Sequence, residues 1–186
     1  RVVRVSSTSP TYGVSALVFD LMAKAGDARL MHITVDLTPS TTSAGNADLN
    51  ELVNNVYLYY GGNIIASAAV PEVAANTPTT VDLVLTPSSY VTLPADQRAT
   101  FELKVDMPAN PTQGASVALS VDTVYAENSA TYASITETAN FAGKKMYAYI
   151  AYPTLALVGS NPLPNLDPNT STLAGATIQM AVTANG

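Results

Sequence analysis

The sequence predicts an all-β protein built as an antiparallel β-sandwich, and three observations support this prediction. Apolar residues recur at every second position along most of the chain and at helical spacing almost nowhere. The apolar runs are short, and turns rich in Pro, Gly and Asn separate them. Hydrophobic residues make up 47% of the chain, which is enough to bury a core. Roughly a dozen short strands of this kind favour a sandwich over a barrel or an α/β fold.

Four segments alternate apolar and polar residues most clearly. They are LMHITVDL from Leu30, TVDLVLT from Thr80, TFELKVDM from Thr100 and SVALSVDTV from Ser116. Successive side chains of a strand point to opposite faces of the sheet, so each segment has one face that favours burial. The residues predicted to be buried are Met31, Ile33, Val35, Leu37, Val81, Leu83, Leu85, Phe101, Leu103, Val105, Met107, Val117, Leu119 and Val121.

Further strands and two connections follow from the same pattern. The other predicted strands cover residues 14–22, 53–60, 63–70, 135–138 and 146–152. Gly61 and Gly62 stand between two apolar runs, which predicts a two-residue hairpin turn with positive φ. The polar span 39–51 is either an exposed loop or, from Asp48 on, a brief helical turn, and we favour the loop.

Composition excludes several classes of function. The chain carries 8 Lys and Arg against 14 Asp and Glu, so it lacks the clustered positive charge that a nucleic-acid partner requires. Cysteine is absent, which excludes thiolate metal sites, thiol catalysis and disulfides. No apolar run is long enough for a membrane-spanning helix, so we expect no membrane insertion. Low charge with many small hydroxyl residues predicts an extracellular or cell-surface location, and a start at Arg1 predicts a chain processed or cut from a longer one.

Two longer segments resemble a known repeat. LVNNVYLYYGGNIIASAAV, residues 52–70, and VTLPADQRATFELKVDMPANPTQGASVALSV, residues 91–121, are similar to the immunoglobulin-like β-sandwich repeat of prokaryotic cell-surface proteins. The resemblance covers residues 14–121, and Tyr60 stands where the repeat usually has Asp before the hairpin glycine. It implies an immunoglobulin-like sandwich with Greek-key-type connections. Because such repeats occur in S-layer proteins and extracellular filaments, it also implies a structural role, but it names no ligand.

The end of the chain repeats the pattern of its beginning. Both segments have a short apolar strand, a Ser-rich stretch with proline, and a second strand. We therefore predict a sandwich over 1–152, and over 153–186 an incomplete second repeat, an add-on segment or a strand donated to a neighbour. Ile178, Met180 and Val182 alternate with polar or small residues, so one face of this segment needs a partner. That partner is the next domain of a tandem array, the first domain itself, or a neighbouring subunit.

Catalysis has little support in the sequence. The one histidine, His32, falls on the outer face of a predicted strand, and no G-x-S-x-G motif accompanies it. Paired carboxylates could cleave glycosides, but the acidic residues of the alternating strands are typical of solvated sheet faces. They are Asp36, Asp82, Glu102, Asp106 and Asp122. We expect no enzyme, no catalytic residue and no organic cofactor.

Calcium is the one metal that the sequence offers ligands for. Carboxylates, Asn side chains and loop carbonyls are hard oxygen ligands, and the segment GNADLNE provides Asn46, Asp48, Asn50 and Glu51. The turn NPLPNLDPN, residues 161–169, offers similar atoms. Neither has the D-x-D-x-D-G spacing of a dedicated loop, and Asn and Asp also cap turns for backbone reasons alone.

Tyrosines are concentrated in two predicted strands. Tyr57 and Tyr59 share a face of one strand, and Tyr147 and Tyr149 share a face of another. Three interpretations remain open: ordinary cross-strand packing, a contact between subunits, or a platform for sugar rings.

Together these observations predict a structural subunit of a prokaryotic extracellular assembly, either a pilus-like surface filament or an S-layer lattice. The chain would self-associate through β-strand addition and sheet-face contacts, with copies of itself as partners in a homopolymer or a tandem array. The predicted interface residues are Tyr57, Tyr59, Tyr147, Tyr149, Ile178, Met180 and Val182. The alternative is a secreted adhesin or carbohydrate-binding module that uses exposed tyrosines to bind cell-envelope glycans.

Overall fold

A computed structural model describes residues 1–40, 48–74 and 76–150, and the backbone of two later strands. The chain forms two compact units, Arg1–Tyr149 and Ile150–Gly186. In the described residues the regular structure is almost entirely β, and two packed sheets form the first unit. The predicted all-β sandwich is therefore confirmed.

The first unit contains eleven of the described strands. They are β1 (Val2–Arg4), β2 (Thr11–Met22), β3 (Ala28–Ser40), β4 (Asn55–Tyr60), β5 (Asn63–Ala69), β6 (Thr79–Val84), β7 (Val91–Leu93), β8 (Arg98–Met107), β9 (Ser116–Asn128), β10 (Ser134–Ala142) and β11 (Met146–Tyr149). A 3₁₀ turn, Leu49–Glu51, precedes β4. The second unit contains β12 (Tyr152–Ser160) and β13 (Ile178–Asn185).

The larger sheet has seven strands in the order β1-β11-β9-β3-β6. Strand β3 pairs with β9 along nearly its whole length, so β10 and β11 share the other edge of β9, and β6 and β7 share the other edge of β3. The smaller sheet has four antiparallel strands in the order β2-β8-β4-β5. The pair β1–β11 is parallel and lies at an edge of the larger sheet.

The predicted alternation describes the core well. All the residues predicted to be buried on the four alternating segments are buried, except Met31. Met31 is half-buried because the β3–β9 register shifts between Leu30 and His32, a β-bulge that places Leu30 in the core instead. One extra residue in a strand reverses the face of every residue on one side of it, so a period-two reading fails at such a point.

Stacked aromatic rings connect the two sheets. Tyr60 of β4 stacks on Phe101 of β8 at 5.0 Å between ring centroids, and Phe101 stacks on Phe19 of β2 at 5.8 Å. Phe19 in turn stacks at 5.7 Å on Phe141 of β10, which belongs to the other sheet. This series of rings gives the sandwich one continuous apolar contact from β4 to β10.

The two predicted connections have different outcomes. The hairpin is confirmed: Tyr60 pairs with Asn63, and Gly61 and Gly62 have φ of 56° and 82°. The favoured loop is wrong from Asp48 on, where the chain forms the 3₁₀ turn Leu49–Glu51. The turn forms because the Leu49 side chain is fully buried and the Leu49 carbonyl accepts hydrogen bonds from the N–H groups of Leu52 and Val53. Residues 41–47 lie outside the described residues.

The β4–β5 turn gives a stability prediction. A β-carbon at Gly61 would have no atom within 4 Å, so a side chain there acts only through backbone conformation. We expect Gly61→Val to lower the free energy of unfolding by about 1–2 kcal/mol, because a β-branched residue is strained at positive φ. Gly61→Asn is the matched control and should stay near wild type, since Asn tolerates this conformation. Urea denaturation measures both, and equal stability of the two variants would contradict the assignment.

Candidate functional site

A buried carboxylate lies under the tyrosines of the four-stranded sheet. Asp106 was expected on a solvated outer face, and this expectation is wrong, since only 6% of the residue is exposed. It does lie on the outer face, but the hydroxyl of Tyr57 donates to its Oδ2 at 2.6 Å and the N–H of Gly13 donates to its Oδ1 at 2.9 Å. Gly13 has a φ of 64° and lies in a bulge of β2, so Asp106 holds β2 and β4 against β8.

Tyr57 is chemically changed by this contact. The hydrogen bond to Asp106, then burial, then the negative charge of Asp106 raise the pKa of Tyr57 from 10.0 to about 12. The charges of Tyr59 and Tyr12 also contribute to raising this pKa. Tyr12 is 72% exposed, so it is the member of this group most open to a partner.

Tyr59 lies on the same outer face as Tyr57 and is covered by a lysine. The Nζ atom of Lys104 lies 4.3 Å from the centroid of the Tyr59 ring, a cation–π contact, and 3.4 Å from a carboxylate oxygen of Glu102. A sugar ring stacks on an open aromatic face, and Lys104 occupies one face of Tyr59. The glycan-binding alternative stays a prediction.

The two tyrosine pairs lie on different sheets. Tyr147 and Tyr149 belong to β11 of the seven-stranded sheet, where they are half-buried and alternate with the buried residues Met146 and Ala148. They pair with Val2 and Arg4 of β1. Since the core-facing residues of both sheets point inward, the tyrosine pairs face opposite sides of the sandwich and form two surfaces, not one.

Among the calcium candidates, Glu51 caps the 3₁₀ turn. The Glu51 carboxylate accepts hydrogen bonds from the backbone N–H of Asp48 at 3.4 Å and from the Thr112 hydroxyl at 3.3 Å. Asn50 Oδ1 is buried and has no hydrogen-bond partner among the described residues, and Asn46 lies outside them. Within the described parts of the chain, no group of three or more His, Asp or Glu side chains could hold a metal ion. Calcium stays a prediction at this turn, and the second candidate turn, 161–169, lies outside the described residues.

His32 packs against an aromatic ring. Its imidazole stacks on Tyr125 with 3.9 Å between ring centroids and 18° between ring planes. Two carboxylates of the same sheet accept hydrogen bonds from threonines: Asp36 accepts from the Thr80 hydroxyl at 2.5 Å, and Asp122 accepts from the Thr123 hydroxyl at 2.7 Å. These contacts are those expected of sheet-face residues that support cross-strand packing.

One side of the sandwich is open, a feature that the sequence analysis missed. We call the gap between β2 and β10 the seam. Each of these strands has a partner on only one side among the described strands: β2 pairs with β8, and β10 pairs with β9. A cleft of about 380 Å³ lies there. Its apolar lining comes from both sheets and includes Leu21, Met22, Val124, Ala126, Ile135 and Phe141.

The opposite side of the sandwich is closed by small and buried residues. There β5 of the four-stranded sheet packs against β6 of the seven-stranded sheet. Ala66 and Val70 are buried on the β5 side, and Val81 and Leu83 are buried on the β6 side. The signal that could have revealed the seam is in the sequence of β2. The stretch VSALVFDLM has apolar residues in both phases of the alternation, and Val18 and Met22 are exposed apolar residues on it.

The second unit consists of two described strands that pair only with each other. The β12–β13 ladder is antiparallel and runs from Tyr152 opposite Asn185 to Ser160 opposite Ile178, with an irregularity between Leu157 and Gly159. Its register places Met180 opposite Leu157 and Val182 opposite Leu155. Residues paired in this way share a face of a ladder, so these four belong to one apolar face.

Comparisons with known proteins add no assignment. No protein-family model, curated protein or solved structure matches the chain. In the described residues, no helix has the length and apolar character that a membrane crossing requires.

The Tyr57–Asp106 contact gives a pH prediction. A tyrosine whose pKa is raised by folding stabilises the native state fully below the unfolded pKa of about 10, and this contribution is lost as pH rises toward about 12. The wild-type free energy of unfolding should therefore fall over this range more steeply than that of Tyr57→Phe. At neutral pH the variant should be less stable by about 1–3 kcal/mol, because a buried carboxylate loses a donor.

The control for this prediction is Tyr59→Phe. It leaves the hydrogen bond between Tyr57 and Asp106 in place, so the steep alkaline loss should remain. Urea denaturation at a series of pH values measures all three proteins. Parallel pH profiles of wild type and Tyr57→Phe would show that this contact does not control alkaline stability.

Proposed function

We propose that this chain is a structural subunit of a prokaryotic extracellular assembly, either a pilus-like filament or an S-layer lattice, and that it self-associates by β-strand addition and sheet-face contacts. Copies of the same chain are the partners. The likeness to immunoglobulin-like surface repeats with Greek-key connections is part of this proposal. The observation that supports it most is the ladder of β12 and β13, the described strands of the second unit, with Leu155, Leu157, Met180 and Val182 in one phase.

A two-stranded ladder is at best marginally stable in water. The face that carries Leu155, Leu157, Met180 and Val182 gains free energy when it is covered, at about 25 cal/mol for each Å² of apolar surface removed from water. Strand addition covers such a face and also satisfies the backbone groups along the edge of the ladder. A chain that presents such a ladder is therefore suited to bind another sheet.

The edges of the first unit support the same proposal. Proteins that stay monomeric protect edge strands with lysine, proline or inward charges. Strand β2 has twelve residues, contains neither lysine nor proline, and carries Asp20 as its one charge. On its outer face Val18 is 57% exposed. The two bulges of β2 lie before Leu17, so the regular part of its edge, from Leu17 to Met22, favours pairing with a further strand.

Electron microscopy of the purified full chain tests the proposed function. We expect filaments or two-dimensional arrays, and we expect Met180→Lys to abolish them because a charge then lies on the apolar face of β13. Gln179→Lys is the matched control, since it places the same charge one residue away on the other face, and assemblies should persist.

Monodisperse particles of monomer size for the wild-type chain, both with and without calcium, would overturn the proposed function. Equal assembly of Met180→Lys and Gln179→Lys would show that the apolar face of β13 takes no part in it.

A further inference from the structure

We propose that the seam between β2 and β10 is the acceptor site of the assembly, and that its occupant is strand β13, Ile178–Asn185, of a second copy of the chain. This inference rests on the proposed function and deepens it, since it names the two surfaces that meet.

The seam has the apolar lining that a strand needs. Leu21 of β2 forms one wall, and Val124 and Ile135 of the other sheet form the opposite wall, around a cleft of about 380 Å³. In a closed sandwich, inward-facing residues of this kind are covered by the other sheet, as Val81 and Leu83 are on the opposite side. Leu21 and Ile135 are only half-buried, so further apolar side chains can be packed against them.

The two walls of the seam approach most closely near Gly143. A β-carbon on Gly143 would lie 3.1 Å from the carbonyl oxygen of Ala16 and 2.9 Å from that of Leu119, so the backbones of the two sheets are nearly in contact. The stacked rings of Phe19 and Phe141 follow. Beyond Phe141 the cleft begins and reaches Ile135, so an entering strand lies along β10 on the side away from Gly143.

Backbone hydrogen bonds are offered by both walls. Among the described strands, β2 has β8 as its one neighbour and β10 has β9, which leaves the seam-facing edge of each for a new strand. Strand β13 likewise pairs with β12 on one edge and has no partner on the other among the described strands. Edge-to-edge addition therefore joins two edges that each lack a neighbour.

The sequence of β13 matches the seam in pattern and charge. Its residues IQMAVTAN place Ile178, Met180 and Val182 in one phase and contain no charged side chain. The lining of the cleft contains two charged residues, Lys24 and Glu137, both exposed, and most of its other residues are apolar. Eight residues of β13 also suit the nine residues of β10 in length. An uncharged strand with one apolar phase is the occupant that this lining favours.

The choice of a second copy follows from the proposed function, since head-to-tail contacts that do not close produce extended assemblies. Each copy would donate β13 to one neighbour and accept β13 of another in its seam. Insertion into the seam of the same chain would instead leave a monomer, and the experiment below separates the two cases.

Disulfide trapping tests the inference, and the chain is well suited to it because it contains no cysteine. Met180→Cys is mixed with Ile135→Cys, and separately with Leu21→Cys on the other wall, under mild oxidation. We expect a band at twice the monomer mass, with a linked peptide that joins position 180 to position 135 or 21 in mass spectrometry. Two acceptor variants are used because adjacent strands bring only some β-carbon pairs within disulfide range.

The control acceptor is Val84→Cys on β6, at the closed side of the sandwich, where Val84 is 61% exposed. Mixed with Met180→Cys, it should give no more disulfide-linked product than either cysteine variant gives when it is oxidised alone. Absence of a link to both seam positions while the wild-type chain still assembles would overturn the inference and leave the proposed function standing. A double variant Ile135→Cys/Met180→Cys that forms only an intrachain disulfide would overturn the choice of a second copy.

Discussion

A β-sandwich is stable only when the inward faces of its sheets cover each other and the edges of its strands are paired or protected. Most features of this molecule depend on how far each part meets that constraint. The centre of the first unit meets it, with Leu30, Ile33, Leu103 and Val105 fully buried between the sheets. The side where β5 packs against β6 covers its inward faces as well, with Val81 and Leu83 buried, while β5 and β6 each have one paired neighbour among the described strands. At the seam Leu21 and Ile135 are only half-buried, and β12 and β13 pair only with each other among the described strands, so the functional proposals concern these parts.

The aromatic series that ends at Phe141 determines where the sandwich stops closing. Phe19 contacts Phe101 within its own sheet and Phe141 in the other, so it fixes the distance between β2 and β10 at one point. On one side of that point Gly143 lets the backbones approach, and on the other side the cleft begins. Asp106 fixes the opposite end of β2, where its carboxylate accepts a hydrogen bond from the N–H of Gly13. Strand β2 is thus fixed along part of its length while its edge stays available.

Much of the first unit could be predicted from its sequence because buried and exposed residues alternate along a regular strand. The alternation in TFELKVDM and the Gly61–Gly62 turn needed no knowledge of neighbouring strands. Met31, Asp106 and Leu49 could not be placed in this way. A bulge moves Met31 off the core face. Hydrogen bonds from Tyr57 and Gly13, on two other strands, bury Asp106. Leu49 lies in a short turn outside the alternating strands, and tertiary contacts bury it. The seam was not predictable either, since which edges face each other depends on sheet order and not on local pattern.

The central claim is that the edge of β13 and the seam edges gain partners when copies of the chain associate. Amide hydrogen exchange measured at several protein concentrations tests this claim directly. We expect amides of Ile178–Asn185 and of β2 and β10 to exchange rapidly in the dilute monomer and to become protected together as assembly proceeds, while β5 and β6 change little. Protection of Ile178–Asn185 that is the same at every concentration, with no change at β2 or β10, would contradict it.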